Sequence, residues 1–152
     1  MDWMQDTGTN VWAFPRGMAR DDRLSGTLSW TSEHASLVAS AYDLMTVDGF
    51  NDAGLGAHQL FLSESDYGEL DQDRPTLSVA VWMQYVLDTC ATVADAVAWL
   101  DSSRVQIAAQ SDPLSGLAVT CISLSMTRPG TRRSSSISTA RRGSITIAPT
   151  RS

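Results

Sequence analysis

Several residue types are scarce or missing in this chain of 152 residues. It has no lysine and only two cysteines, and no acidic residue follows position 112. No apolar run approaches the roughly 18 residues that a membrane-spanning helix requires. The opening stretch, MDWMQDTG, has neither the basic segment nor the apolar core of a secretory signal. The sequence therefore leaves the compartment open: periplasmic or extracellular if a leader precedes it, and cytoplasmic otherwise.

Charge divides the sequence into two unequal parts. Residues 1–112 contain all 17 acidic residues, whereas residues 113–152 contain six of the 11 arginines and no acid. The second part includes MTRPGTRRSSSISTARRGS at 126–144, which is rich in serine and poor in large apolar residues. Such a stretch cannot bury enough surface to offset an ordering cost of roughly 1–2 kcal/mol per residue. We therefore predict a folded domain over 1–112 and a disordered basic tail over 113–152.

Alternating apolar residues and turn-forming residues predict several strands in the acidic part. The segment DGFNDAGLG at 48–56 is dense in glycine, asparagine and aspartate, and it predicts a turn. The predicted strands are TNVWAFPRG at 9–17, LSWTS at 28–32, SLVASAY at 36–42, LGAHQLFLSES at 55–65 and RVQIAAQ at 104–110.

Helical spacing appears between the last two of these strands. Residues 77–87 place Leu77, Val81 and Tyr85 on one helical face. A second helix is predicted after Thr92, which forms a capping box with Asp95. Its apolar stripe consists of Val93, Ala96, Val97 and Leu100. Strands followed by two helices and a strand indicate a layered α+β domain rather than alternating βαβ units.

The histidines and acidic residues form no catalytic or metal-binding pattern. His34 and His58 stand alone, and the acidic run from Glu64 to Asp73 lacks the spacing of a calcium loop. Cys90 falls within an apolar helical stretch, where a thiol acts as a small buried hydrophobic group. From the residues alone we predict an α+β domain without a metal site or a cofactor.

Four segments of the acidic part resemble one known family in their order and spacing. They are MDW at 1–3, FPRG at 14–17, WTSEHASLVASAYDLMTVDGFNDAGL at 30–55 and LSVAVWMQYVLDTCATVADAVAWL at 77–100. Together they resemble the linear amide C–N hydrolases, the choloylglycine hydrolase and penicillin V acylase family. The resemblance implies part of an αββα sandwich of the N-terminal nucleophile hydrolase type. It also implies a small-molecule amide substrate, no nucleic-acid or membrane partner, and homo-oligomers among intact relatives.

The resemblance also assigns roles to individual residues. In this family an N-terminal cysteine attacks the amide, and its own α-amine is the base. Asp2 matches the aspartate that orients this cysteine, and Met1, Trp3 and Phe61 match positions for substrate binding. The cysteine and a neighbouring Gly-Arg pair have no counterpart before Met1. We therefore predict an inactive fragment of a hydrolase for conjugated bile acids, penicillin V-like amides or N-acyl homoserine lactones.

The family pattern stops near residue 112, which bears on the basic tail. Codons from Thr120 onward, read in a displaced frame, permit the strand that relatives have here, so we interpret 113–152 as a frameshift product. The alternative is a non-catalytic interaction protein with an acidic body, whose basic tail would bind nucleic acid or acidic membranes through charge. If the tail is disordered, trypsin should cleave first at Arg132, Arg133, Arg141 and Arg142.

Overall fold

The computed structural model describes residues 6–24, 27–61, 65–111, 116, 118–119, 121–127, 135–139 and 145–149. The two helices follow seven strands, as the predicted α+β class requires. The elements are β1 (Asn10–Phe14), β2 (Ala19–Asp21), β3 (Ser29–Thr31), β4 (Ser36–Ala41), β5 (Met45–Asn51), β6 (Leu55–Phe61), β7 (Thr76–Ser78), α1 (Val79–Thr89), α2 (Val93–Ser102), β8 (Gln106–Ala108), β9 (Gln110–Ser111), β10 (Ala118–Val119), β11 (Cys121–Thr127), β12 (Ser135–Thr139) and β13 (Ile145–Pro149).

The main sheet has five antiparallel strands in the order β1-β4-β5-β6-β11. Side chains alternate between the two faces of a strand, so the register assigns residues to faces. One row across β4, β5 and β6 consists of Val38, Gly49 and Ala57, and this face packs against α1. We call it the covered face.

The opposite face of the same strands carries exposed apolar side chains. Leu37 of β4 pairs with Phe50 of β5, and Val11 of β1 pairs with Ala39 of β4. Phe50 is 56% exposed and Val11 is 68% exposed. We call this the open face, and with Leu60 of β6 its large apolar residues are Val11, Leu37, Phe50 and Leu60.

Gly49 of β5 lies in a crowded place between β4 and helix α1. A Cβ atom at this position would lie 2.7 Å from Val38 Cγ1 and 2.8 Å from the carbonyl oxygen of Leu37. It would also lie 3.1 Å from Leu87 Cδ1 of the helix. The glycine is therefore required by packing, because a Cβ atom would clash mainly with the neighbouring strand β4, at Val38 and at the backbone of Leu37.

The predicted first helix is confirmed from Val79 onward, but Leu77 lies in strand β7, and the most buried face of the helix differs from the predicted one. The helix begins at Val79, and the Ser78 hydroxyl caps it by accepting a hydrogen bond of 3.1 Å from the Ala80 amide. Val81 and Tyr85 are only partly buried. Trp82, Met83 and Leu87 are instead fully buried. The helix is apolar almost all round because it packs against the sheet and also contacts β3, β7 and β8.

The predicted capping box of α2 is confirmed in both directions. The Asp95 amide donates to Thr92 Oγ1 at 3.2 Å, and the Thr92 amide donates to Asp95 Oδ2 at 2.8 Å. Val93 and Ala96 of the predicted stripe are buried, and Val97 and Leu100 pack partly buried against the same core.

The predicted turn at 48–56 is wrong in its first half. Strand β5 continues through Asn51, and the turn occupies only residues 52–54. Asn51 acts as the corner: its Oδ1 accepts from the Leu55 amide at 3.0 Å, and its Nδ2 donates to the carbonyls of Leu87 and Cys90 at 2.8 Å. Turn-forming residue types thus lie in a strand here because of tertiary contacts with α1.

Four two-stranded pairs are described besides the main sheet: β2–β3, β7–β8, β9–β10 and β12–β13. Strands β2 and β3 form an antiparallel hairpin, and β7 pairs in parallel with β8. The predicted strand at 104–110 is present as β8 and β9. Neither helix within the described residues has the length and apolarity to cross a membrane.

Four strands, β10 to β13, are described within the region 113–152 that the sequence predicts to be a disordered tail. Strand β11 pairs with β6 over seven residues, from Cys121 opposite Phe61 to Thr127 opposite Leu55. Strands β12 and β13 form a hairpin with Ile137 opposite Ile147. Alternation of β-branched and polar residues favours such pairing. Arg132, Arg133, Arg141 and Arg142 lie outside the described residues, and the frameshift origin of 113–152 stays a prediction.

Candidate functional site

The structure describes only one of the four residues that the sequence assigns to the site. Met1, Asp2 and Trp3 lie outside the described residues. Phe61 is the last residue of β6, and its backbone lies opposite Cys121 of β11. The side chain of Phe61 is outside the described part of the chain.

Cys90 has the environment of a structural thiol. Its side chain is 3% exposed at the C-terminal end of α1, as the sequence predicts. Burial raises the pKa of the Cys90 thiol, and the negative charges of Asp95 and Glu33 raise it further. A thiol held protonated in this way is a poor nucleophile.

The most buried charged group of the described residues is Asp88, in the last turn of α1. Arg20 Nε lies 2.7 Å from Asp88 Oδ2, and Trp30 Nε1 donates to the same oxygen at 2.8 Å. Gln84 Nε2 donates to Asp88 Oδ1 at 2.8 Å. Burial raises the pKa of the Asp88 carboxyl, while the contacts with Trp30, Arg20 and Gln84 lower it. We call Arg20, Trp30, Gln84 and Asp88 the Asp88 cluster.

The Asp88 cluster connects helix α1 and the β2–β3 hairpin with strands of the main sheet. Gln84 accepts from Thr46 Oγ1 of β5 at 3.0 Å and donates to Ser36 Oγ of β4 at 3.1 Å. The guanidinium carbon of Arg20 lies 4.2 Å from the centre of the Phe14 ring, at the end of β1. The cluster therefore fixes α1 and the β2–β3 hairpin against the strands of the main sheet, including β1, which follows the predicted catalytic segment in sequence.

A second buried polar group holds the N-terminal end of α1. Asp22 accepts hydrogen bonds from the amides of Ser78 and Leu24. Gln59 of β6 donates to the Val79 carbonyl at 2.9 Å. The carbonyl oxygen of the Gln59 side chain has no hydrogen-bond partner among the described residues. Strand β6, which leads to Phe61, is thus tied to the helix two residues before its end.

Both histidines have carboxylate neighbours that the sequence did not reveal. His58 Nδ1 lies 2.9 Å from Asp48 Oδ1, directly across the β5–β6 pair on the open face. His34 Nδ1 lies 3.5 Å from Asp52 Oδ1. Neither pair joins a third metal-binding group within the described residues.

Sequence reasoning also missed the Asp88 cluster, although one signal was present. Gln84 and Asp88 lie four positions apart in a helix that is otherwise apolar, so they share one face. Polar residues on such a face indicate a buried hydrogen-bonded group. Their partners could not be found in this way, because Trp30 and Arg20 lie 58 and 68 positions from Asp88 in the sequence.

Comparison with known proteins identifies a family for this arrangement. Residues 1–121 match the model of the linear amide C–N hydrolases, choloylglycine hydrolase family. A penicillin V acylase from Pectobacterium atrosepticum is 41% identical over 134 residues, an alignment that includes 82% of this chain. The same alignment covers 36% of that acylase.

Solved structures agree with the sequence matches. A penicillin V acylase from Agrobacterium tumefaciens superposes with a TM-score of 0.80 at 39% identity, and the match covers 98% of this chain and 44% of that chain. A variant of conjugated bile acid hydrolase from Clostridium perfringens has the same fold, with a TM-score of 0.73 at 18% identity. That match covers 99% of this chain and 45% of the other.

The chain belongs to the linear amide C–N hydrolase family, as its sequence motifs predict, and it has the α+β fold of the N-terminal nucleophile hydrolases. Penicillin V acylases are among its relatives, and a conjugated bile acid hydrolase shares its fold. The chain spans less than half the length of these proteins.

Proposed function

We propose that residues 1–112 form part of a hydrolase that cleaves the C–N bond of a linear amide. The observation that carries this proposal is the 41% identity to a penicillin V acylase. The fold supports this proposal. The covered face of the main sheet and the Asp88 cluster would hold the strands in register for a catalytic segment.

Amide hydrolysis requires a strong nucleophile, a proton carrier and donors for the developing oxyanion. In the proposed mechanism Asp2 orients an N-terminal cysteine, whose α-amine takes the thiol proton as sulfur attacks the carbonyl. Met1 and Trp3 contact the substrate, and Phe61 borders the place where the oxyanion develops. The Asp88 cluster acts at a distance, by fixing β1 and α1 against each other.

Neither cysteine of the printed sequence fits the nucleophile's role. Cys90 is buried and the pKa of its thiol is raised. Cys121 lies inside the chain, in β11, so its nitrogen is part of a peptide bond and is not a free α-amine. We therefore propose that a polypeptide of these 152 residues is inactive toward amides on its own. The assay is hydrolysis of penicillin V, and turnover that survives both thiol blocking and Asp2→Ala would contradict the cysteine mechanism.

The substrate of the whole protein is proposed from its relatives. Candidates are penicillin V-like amides, conjugated bile acids and N-acyl homoserine lactones, which all place a scissile amide next to an apolar acyl group. The higher identity to a penicillin V acylase favours the first class.

A chimera tests whether this segment supports catalysis. Residues 1–112 replace the aligned segment of the Pectobacterium atrosepticum penicillin V acylase, so that the acylase supplies its own residues on both sides. We expect the chimera to hydrolyse penicillin V. Within it, Asp2→Asn should lower kcat/KM by roughly 10²-fold, as expected when the nucleophile is no longer held in its productive orientation.

The matched control is Asp6→Asn. Asp6 is exposed, and its carboxylate accepts only a local hydrogen bond from the Gly8 amide at 2.8 Å. We expect this variant to keep the activity of the chimera. A folded chimera without activity, or equal losses in the two variants, would overturn the proposal.

A further inference from the structure

A pocket of about 520 Å³ opens between β3 and the adjoining ends of α1 and α2. Its volume falls within the range of about 300–1,000 Å³ that is usual for small-molecule sites. The walls contain three aromatic residues, Trp30, Tyr85 and Trp99, and two acidic residues, Glu33 and Asp95. None of the residues that line it is basic.

The aromatic rings are held in a fixed arrangement. The rings of Trp30 and Tyr85 meet edge to face, with centroids 5.2 Å apart and an interplanar angle of 69°. The Tyr85 and Trp99 rings have centroids 4.7 Å apart. Trp30 is anchored further by its hydrogen bond to buried Asp88. Because the rings are preorganised, a ligand would lose little affinity to side-chain ordering.

The pocket is also electronegative. The Glu33 carboxylate is exposed and has no arginine or histidine within ion-pairing distance among the described residues. Thr89 and Cys90, at the C-terminal end of α1, form part of the wall, and the C-terminal end of a helix favours positive charge. Asp95 caps the N-terminal end of α2 and so opposes the positive end of that helix.

The pKa shifts of two wall residues agree with a negative electrostatic potential in the pocket. Burial raises the pKa of the Tyr85 hydroxyl, and the charge of Glu33 raises it further. Burial likewise raises the pKa of the Cys90 thiol, with added contributions from Asp95 and Glu33. Burial is the larger cause of both shifts, and the carboxylates of Glu33 and Asp95 add a smaller contribution of the same sign.

We propose that this pocket is a binding site for a small organic cation of the quaternary ammonium type. Such a cation binds to aromatic faces through the ring quadrupole and is attracted by nearby carboxylates. Unlike a metal ion, an organic cation does not need carboxylate oxygens as direct ligands. This fits the pocket, because Asp95 Oδ2 already accepts hydrogen bonds from the amides of Ala91 and Thr92. None of the residues that line the pocket is among those assigned to amide hydrolysis, so the inference does not depend on the proposed function.

Equilibrium dialysis of the 152-residue chain against radiolabelled choline tests the site. The matched neutral probe is 3,3-dimethylbutan-1-ol, which has the same shape without the charge. We expect saturable choline binding, and binding of the neutral probe that is weaker by about tenfold. Equal binding of the two probes, or no saturable binding of choline, would overturn the proposal.

Two pairs of variants locate the binding. Trp99→Leu should weaken choline binding about tenfold, whereas Trp12→Leu, on β1 and outside the pocket, should not. Glu33→Gln should weaken it roughly threefold at low salt, whereas Asp101→Asn should not. Glu33 is exposed, so its variant keeps the test valid if Trp99→Leu fails to fold. Choline binding that is unchanged in Glu33→Gln, or reduced equally in the controls, would contradict the assignment.

Discussion

The two faces of the main sheet have opposite surroundings. The covered face packs against α1, and Gly49 in this face has no room for a side chain between Val38 and Leu37 of β4 and Leu87 of the helix. The open face presents Leu37, Phe50 and Leu60 to solvent, together with the Asp48–His58 pair. The same strands supply both faces. The comparison therefore separates the side chains that stabilise the fold from the exposed side chains that could contact another surface.

The largest effect is expected from the Asp88 cluster behind the covered face. Asp88→Asn leaves the mostly buried Arg20 without a charged partner, which typically costs about 3–5 kcal/mol of unfolding free energy. Urea denaturation measures the loss. Asp21→Asn is the control, because Asp21 also pairs with an arginine, Arg23, but both side chains are largely exposed. A similar midpoint for the two variants would show that the cluster does not stabilise the fold.

Two leucines of β6 compare the faces directly. Leu55 is fully buried on the covered face, and Leu60 is 43% exposed on the open face. Leu55→Ala should lower the free energy of unfolding by about 2–5 kcal/mol, because it leaves a cavity under α1. Leu60→Ala should cost clearly less, measured by the same denaturation. Equal losses would mean that the open face is as tightly packed as the covered one.

The open face should bind a hydrophobic dye. We expect 1-anilinonaphthalene-8-sulfonate to fluoresce with the purified chain, since exposed apolar patches bind such dyes or promote aggregation. Phe50→Thr should lower this signal, whereas Leu24→Thr, at an exposed leucine outside the sheet, should leave it nearly unchanged. A cooperative monomer without dye fluorescence would show that the open face is not available.

A smaller effect concerns the turn between β4 and β5. Hydrogen bonds from Trp12, Asn10 and Ser40 hold the pKa of Asp43 below its usual range. Ionised Asp43 therefore stabilises the folded state. This contribution is complete above the ordinary aspartate pKa of about 4, and it is lost as the pH falls through the lowered pKa of the folded state. The urea midpoints of the wild type and Asp43→Asn should differ at pH 6 and converge in acid.

A second variant sharpens this pH test. Asn10→Ala removes one donor to Asp43, at 3.0 Å, and should reduce the acid-dependent part of the stability without abolishing it. A difference between wild type and Asp43→Asn that stays constant from pH 6 into acid would contradict the assignment.

The structure on the covered side of the main sheet was partly predictable from the sequence. The helix after Leu77, the Thr92–Asp95 capping box and the stripe of α2 depend on local spacing, and the structure confirms them. Strand β5 was missed, because Gly49 and Asn51 have turn-forming character. Their strand conformation depends on contacts with Leu87 and Cys90, which lie almost 40 positions away in the sequence.

The candidate site was predictable only through family motifs. The family was confirmed, but Met1, Asp2 and Trp3 lie outside the described residues, so their roles stay proposals. The Asp88 cluster and the aromatic pocket combine residues from β2, β3 and both helices. No local pattern brings these together, because tertiary packing alone sets the distances.

Hydroxyl-radical footprinting with mass spectrometry tests most directly the central claim that one face is closed and the other open. In the monomeric fraction, Phe50 and Leu37 should be oxidised at rates typical of exposed side chains. Met83 and Trp82, on the side of α1 that is buried in the core, should be protected, although methionine and tryptophan are intrinsically reactive. Protection of Phe50 to the same degree as Met83, or rapid oxidation of Met83, would contradict the account.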